Sequence, residues 1–314
     1  MKKKAIGIAI AALMAALSGC GGEKPLDQLT FTYVTAPLNV PSIIEKEHHI
    51  FEKAFADMGI SVEYAELTSG ADQTQALASG DVQVLYAVGA TSVILSAAND
   101  ADIKVLNMYS RSPKAFALYT KDDTLTSPES LRGKTIAGPA GTNLHELLAA
   151  YLAKADMTLE DVDYINMSIP EAKAALDGGS IDAALLAGAT AYTAKEQDYF
   201  LITDGEGLID AIIAVAVTDE FYRSHPEIIE KLEEAQDEIE DFMEDHEEET
   251  LRIVAEALDL EPRAVAEMME HYDFSTDLHG ADIAGFQRTA DFLYDADMIE
   301  EPLDVSSLFY ETED

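Results

Sequence analysis

The sequence predicts an α/β protein of two lobes built on one plan. Strand-like apolar runs alternate with amphipathic helical runs from Leu29 to Leu186, the pattern of largely parallel sheets whose strand-end loops are available for ligands. A stretch of the first half recurs without gaps in the second. The chain has 314 residues and is 48% apolar, enough for two lobes of about 150 residues with real cores.

Leu29 to Val34 reads as a strand, then a helix runs from about Ser42 to Met58. Ser61 to Glu66 is the second strand, and a helix from Asp72 to Ala78 leads to the strand Val82–Val88. Val105–Tyr109 and Ala115–Tyr119 are further strands; Ser127 then caps a short helix with Pro128 in its first turn, where a missing N–H costs nothing. The pattern restarts with the strand Thr135–Ala137, the helix Asn143–Lys154, the strand Asp163–Met167, the helix Pro170–Leu176 and the strand Ile181–Leu186. Beyond Asp219 the chain reads as helical. Ile228, Leu232, Ala235, Ile239 and Phe242 make one apolar face at spacings of three and four. The Glu- and Asp-rich remainder from Glu233 to Glu249 reads as a solvated face rather than a cation site, because spaced ligand turns with glycine are missing.

The restart is residue by residue. Ala76–Gln83 lies over Ala175–Asp182, Gly89-Ala90-Thr91 over Gly188-Ala189-Thr190, and Ser69 over Ser168, all at one offset. Two lobes on one plan would each send a Gly-Ala-Thr turn from a strand end, and the two turns are expected to face one another across a cleft.

The formal charge is −40. It excludes nucleic-acid binding, which needs clustered Lys and Arg over phosphates, and docking on anionic lipid. It does not exclude an anionic solute, because exposed charges are screened beyond about 8 Å at physiological salt.

Lys2, Lys3 and Lys4 precede an apolar run, Ala5–Leu17, that is too short to span a bilayer and suits a signal-peptide core. The run ends in Leu17-Ser18-Gly19-Cys20, which looks like the lipobox of bacterial lipoproteins. Residues 1–19 are therefore expected to be a signal peptide, Cys20 the lipidated residue and 20–25 a tether. Cys20 is the chain's single cysteine, so no intramolecular disulfide competes for it.

Taken together, the motifs resemble the solute-binding receptors of ABC importers, in the branch of nitrate, alkanesulfonate and taurine receptors and thiamine-pyrimidine binders. The resemblance is carried by Ser69-Gly70 with Gln75–Gly80, Gly89-Ala90-Thr91, Ser112-Pro113-Lys114, Ser130–Ala137, Gly141-Thr142, Ala174-Ala175-Leu176 with Gly179–Ala183, Phe221–Pro226 and Gln287–Leu293. It runs from about residue 29 to 309. It implies a two-lobed periplasmic-binding-protein type II fold with two crossovers and C-terminal helices. Lobe 1 would hold 26–117 and 218–314, lobe 2 would hold 118–217, and the crossovers would lie near Phe116–Thr120 and Ile212–Thr218.

It further implies an extracytoplasmic, monomeric receptor, lipid-anchored to the bacterial cell membrane, that closes over a small organic solute and delivers it to a permease and its ATPase. A surface sensor signalling to a partner protein is the alternative. A thiamine-pyrimidine enzyme is disfavoured, because that branch carries a cysteine-rich iron segment and this chain has none. No Gly-x-Ser-x-Gly, Ser-x-x-Lys or P-loop motif is present. His145-Glu146 begins like a zinc motif, but Ala149 stands where the second histidine belongs. No catalytic residue, metal or cofactor is expected.

For the solute, Gly138–Asn143 leads into a helix whose free N–H groups and dipole favour an anion. Gly141, Thr142 and Asn143 are candidates there, although Asn143 with Glu146 also spells a capping box. Gly89, Ala90, Thr91 and Gly188, Ala189, Thr190 are candidates from the mirrored turns, and Asn39, Ser69 and Ser112 from lobe 1. Tyr86 or Leu186 is a candidate wall, and Arg111 is the one guanidinium in the candidate loops. Relatives carry a bulky Trp-x-Pro where this chain has Ala187-Gly188-Ala189. A pocket enlarged at Gly188, taking an aromatic or branched molecule rather than sulfonate or nitrate, is therefore expected.

Overall fold

The computed structural model describes residues 26–310; the expected signal peptide, Cys20 and the tether lie outside the described residues. In chain order the strands are β1 (Gln28–Thr32), β2 (Ser61–Ala65), β3 (Leu85–Gly89), β4 (Lys104–Arg111), β5 (Phe116–Thr120), β6 (Thr135–Gly138), β7 (Asp163–Asn166), β8 (Ala183–Ala187), β9 (Phe200–Asp204) and β10 (Ile212–Val217). The helices are α1 (Val40–His48), α2 (Ile50–Ala56), α3 (Gly70–Ser79), α4 (Ala90–Ala97), α5 (Asn143–Ala153), α6 (Ile169–Asp177), α7 (Gly188–Glu196), α8 (Asp219–Ser224), α9 (Pro226–Asp245), α10 (Glu247–Leu258), α11 (Pro262–Met269) and α12 (Gly280–Asp295).

The two lobes repeat one topology. In the first, β1 and β2 pair in parallel and β10 lies antiparallel between β3 and β4. A parallel bridge between Phe31 and Val84 joins the two parts, giving the order β2-β1-β3-β10-β4. The second lobe has the order β7-β6-β8-β5-β9, with β5 antiparallel to β8 and β9. β3 and β8 hold the same place in their sheets, which is the structural content of the Gly-Ala-Thr repeat.

The second sheet is built wholly from the continuous run β5–β9, while the first takes back β10 after the chain returns, and this corrects the expected crossovers. Ile212–Val217 pairs with β3 and β4 and belongs to the first sheet; Phe116–Thr120 pairs wholly with the second. The chain crosses at 112–115 and 205–211, a few residues before the expected positions. A hydrogen bond of 3.3 Å from Ser112 N to Ala211 O ties the two crossings together.

The expected helix from Ser42 to Met58 is two helices. His49 takes a left-handed φ of 53°, and the Glu45 carboxylate accepts from Phe51 N at 3.2 Å, satisfying a donor at the start of α2. α4 and α7 leave no helical period in the sequence, because short, alanine-rich, largely buried helices have no polar face to mark them. α9 buries Ile228, Leu232, Ala235 and Ile239 and turns its acids outward. Phe31, Phe51 and Phe55 anchor the first core, with Phe31 and Phe51 stacked at 4.6 Å. No helix among the described residues is long and apolar enough to cross a membrane.

Candidate functional site

The lobes meet where their strand ends converge, and they are closed on each other. β3 bulges at Ala87, which takes a φ of 80° as the register against β10 shifts; bulges of this kind re-aim side chains beside functional sites. Gly89 then starts α4, whose Thr91 donates to Asn143 Oδ1 at 2.7 Å and lies 2.5 Å from Glu146 Oε2. Ser92 donates to the Gly141 carbonyl at 2.6 Å. From the other side, Asn143 Nδ2 donates to Ile212 O at 3.3 Å, and Thr289 of α12 donates to Glu146 Oε1 at 3.0 Å.

The Gly-Ala-Thr turns therefore do not face one another, as the repeat had suggested. Each meets the first strand-to-helix loop of the opposite lobe. A Cβ on Gly89 would stand 3.1 Å from Asn143 Oδ1, and a Cβ on Gly188 would stand 1.4 Å from the Pro37 carbonyl oxygen. The closure has pseudo-twofold logic, inherited from the repeat.

Inside this contact lies a cavity of about 80 Å³. It is lined by backbone and neutral side chains, and no charged side chain lines it. Five helices begin at its wall: α1 through Asn39, α3 through Gly70, α4 through Gly89, α5 through Thr142 and Asn143, and α6 through Ile169. At three of these the cap is missing. Gly89 has no side chain to offer, Thr142 spends its hydroxyl on Pro139 O at 2.8 Å, and Asn39 points its amide at Val34 O (2.9 Å) and Ala36 O (3.3 Å). At α4 and α5 the first-turn N–H groups have no intrahelical partner and carry the positive dipole end; α1 adds less, because Pro41 has no N–H and Ser42 N–H donates to the Tyr109 hydroxyl at 3.1 Å. Such an arrangement holds an acidic group without a counter-cation.

Of the candidate residues, Asn39, Gly89, Thr142 and Asn143 line this cavity. The other candidates do different work. Thr91 and Gly141 fasten the lobes. Ala90 is buried in the first-lobe core. Ser69 caps α3, accepting from Asp72 N at 3.1 Å. Ser112 is fully buried at the crossing, and Gly188 presses on Pro37. Ala189 and Thr190 sit in the first turn of α7 away from the cavity, where the Ala189 carbonyl accepts from Thr193 at 2.8 Å.

The capping box of Asn143 and Glu146 does not form, because the Glu146 carboxyl turns to Thr91 and Thr289 instead. Burial pushes that carboxyl up to about 7, against the pull of its two hydroxyl neighbours. Tyr86 and Leu186 pack inside their cores rather than on the cavity. Arg111 is bound to Asp282 through Nε (2.6 Å) and Nη2 (2.7 Å) and does not line the cavity. The enlarged pocket at Gly188 is overturned, since the space beside its Cα is filled by the Pro37 carbonyl.

Gln73, Ser92, Phe116 and Ile213 also line the cavity and were missed. Gln73 carried a readable signal, lying in the first turn after a Ser-Gly helix start; the others arrive through tertiary contact.

The family model described as NMT1/THI5 like matches residues 54–250. The chain belongs to the NMT1/THI5-like family. The taurine-binding periplasmic protein of Escherichia coli (strain K12) is 30% identical over 221 residues, covering 69% of this chain and 67% of that protein. A putative aliphatic sulfonates-binding protein of Bacillus subtilis (strain 168) is 24% identical over 311 residues, 96% and 93% of the two chains. Among solved structures, the alkanesulfonate-binding protein SsuA from Xanthomonas axonopodis pv. citri bound to MOPS superposes with a TM-score of 0.81 at 21% identity, covering 91% and 99%. The fold is that of periplasmic binding proteins. This member of the family is an extracytoplasmic solute-binding protein and not an enzyme.

Proposed function

We propose that this protein is the receptor of an ABC import system for a small sulfonate, with an aminoalkanesulfonate such as taurine the best match. One observation carries the reading: two helix starts without a side-chain cap, those of α4 and α5, open on one small cavity without a charged side chain. Their main-chain N–H groups take the acidic group. Asn39 spends both amide hydrogens and Gln73 one on backbone carbonyls, and their oxygens serve as acceptors for an ammonium at the other end. A cavity of about 80 Å³ is far below the several hundred Å³ of drug-sized sites, which favours a short solute. The likeness to the taurine-binding and sulfonates-binding proteins supports the same class.

Delivery to a permease and its ATPase, monomeric action and a lipid anchor on Cys20 complete the proposal. The test is a thermal-shift and calorimetric comparison of taurine, ethanesulfonate and a bulky aromatic sulfonate. Taurine at 100 times its dissociation constant should add about 2.7 kcal/mol of stability, and the aromatic acid should add none. Binding of the aromatic acid in preference to both short sulfonates would overturn the reading.

A further inference from the structure

The contact that fastens the lobes contains a proton-counting problem. Thr91 Oγ1 lies 2.7 Å from Asn143 Oδ1 and 2.5 Å from Glu146 Oε2. A hydroxyl has one hydrogen and cannot donate to both. The orientation of the Asn143 amide is fixed at its other end, where Nδ2 meets the Ile212 carbonyl at 3.3 Å; turned over, it would set two oxygens against each other. Oδ1 therefore faces Thr91 and takes its hydrogen. The remaining contact, from Thr91 Oγ1 to Glu146 Oε2, holds only if its hydrogen comes from Glu146. The second carboxyl oxygen accepts from Thr289 at 3.0 Å. As an acid, Glu146 completes a chain in which every member is satisfied: Glu146 donates to Thr91, Thr91 to Asn143, and Asn143 to Ile212. As a carboxylate it leaves two oxygens in contact without a hydrogen between them, in a site where it is 4% exposed.

The chain spans the closure. Thr91, Ile212 and Thr289 come from the first lobe, Asn143 and Glu146 from the second, and opening the lobes would return the carboxyl to water. We propose that closing the lobes over a solute takes up one proton at Glu146, and that this proton holds the Asn143 amide with its second N–H available to an acidic solute. The proposal deepens the sulfonate reading and rests on it for the solute. With Glu146 neutral, the closed form sets no carboxylate beside the cavity to repel an anionic solute.

The charged surroundings agree with this. Asp210, on the crossing segment, raises the Glu146 carboxyl further, and it is itself held by Arg288 of α12 at 2.8 and 3.0 Å. α4 and β10 carry no charged side chain. His145, next on α5, turns to the other side and stacks on Tyr164 at 4.6 Å. Burial first, with Asp210 adding to it and the Thr91 and Thr289 hydroxyls opposing it, pushes Glu146 up to about 7. A solvated glutamate titrates near 4.3, so between these values closure and protonation are linked.

The test is calorimetry with ethanesulfonate, which has no group titrating in this range, in two buffers of unlike ionisation enthalpy. The parent protein should take up about nine-tenths of a proton at pH 6, about half at pH 7 and under about a tenth at pH 8.5. Its affinity should be about tenfold tighter at pH 6 than at pH 8. Glu146→Gln donates an amide hydrogen to Thr91 in place of the acid's; it should bind with no uptake and no pH dependence. Uptake absent from the parent at pH 6, or unchanged in Glu146→Gln, overturns the proposal. Ethanesulfonate binding without proton uptake overturns the proton claim alone, and no ethanesulfonate binding at any pH overturns the solute reading. Ligand-free melting is the control: with the lobes open Glu146 lies in water, so the parent and Glu146→Gln should change alike between pH 5 and pH 8. A pH-linked difference between the ligand-free proteins would place the proton on Glu146 before the solute arrives and overturn the link to closure.

Discussion

Replacing Gly188 by alanine should prevent closure while leaving each lobe folded. The added Cβ would stand 1.4 Å from the Pro37 carbonyl oxygen, and ordinary van der Waals contact begins at 3.4 Å. The second lobe must therefore retreat by about 2 Å, since backbone stands on both sides of the contact. A rigid lobe that retreats this far carries Asn143 and Gly141 away from Thr91 and Ser92, now bonded at 2.7 and 2.6 Å. Two or three such bonds at about 1 kcal/mol each, with the packing around them, make the closed state weaker by about 2–4 kcal/mol. The dissociation constant for taurine should then rise about 30- to 700-fold. The folded lobe itself bears a smaller cost: alanine at a φ of 55° is strained by about 1 kcal/mol, a fall of about 2–4 °C in melting temperature for a protein of this size. Calorimetry and ligand-free melting of the same preparation read both effects. Parental affinity in this variant would refute the closure geometry, and loss of the folded state would refute the independence of the lobes.

Three further outcomes follow from contacts away from the cavity. Ser69→Ala should cost about 1 kcal/mol in a urea titration by uncapping α3 and leave solute affinity unchanged; a large loss of affinity would return Ser69 to the site. Glu45 is buried, and desolvation raises its carboxyl to about 7 in the fold. Its contribution to stability is therefore full below the unfolded value near 4.3 and is lost as pH rises through 7. Glu45→Gln should remove a fall of about 2–3 kcal/mol between pH 5 and pH 8, and parallel pH profiles would contradict this. Arg111→Ala should strand the Asp282 carboxyl, which burial would raise but Arg111 holds below its ordinary range. A loss of about 2–3 kcal/mol in chemical unfolding is expected, and a neutral result would mean that water replaces the guanidinium.

The fold was legible because its signals are local. Strand–helix alternation and the offset of Gly89-Ala90-Thr91 on Gly188-Ala189-Thr190 state two copies of one unit, and the sheets have the same order. The crossings were misjudged because β5 and β10 look like any buried strand; which sheet they join depends on pairing across the molecule. Thr142 and Asn143 could be found from the Gly-Thr-Asn helix start, since an N-terminus is written in three or four residues. Gly188 misled, because a small residue leaves space only if nothing else enters it, and Pro37 lies 151 positions earlier in the chain. Glu146 read as a cap because its spacing from Asn143 fits one. Its true partners, Thr91 and Thr289, come from the other lobe.

The central claim, an acidic solute held by uncapped helix starts between closed lobes, is tested most directly by a crystal structure of the taurine complex. The sulfonate oxygens should lie within about 3.2 Å of main-chain nitrogens at the starts of α4 and α5, with the ammonium against Asn39 or Gln73. Taurine seated instead in the hollow beside Lys114, Lys195 and Tyr272, or its sulfonate paired with a lysine or arginine side chain, would contradict the account.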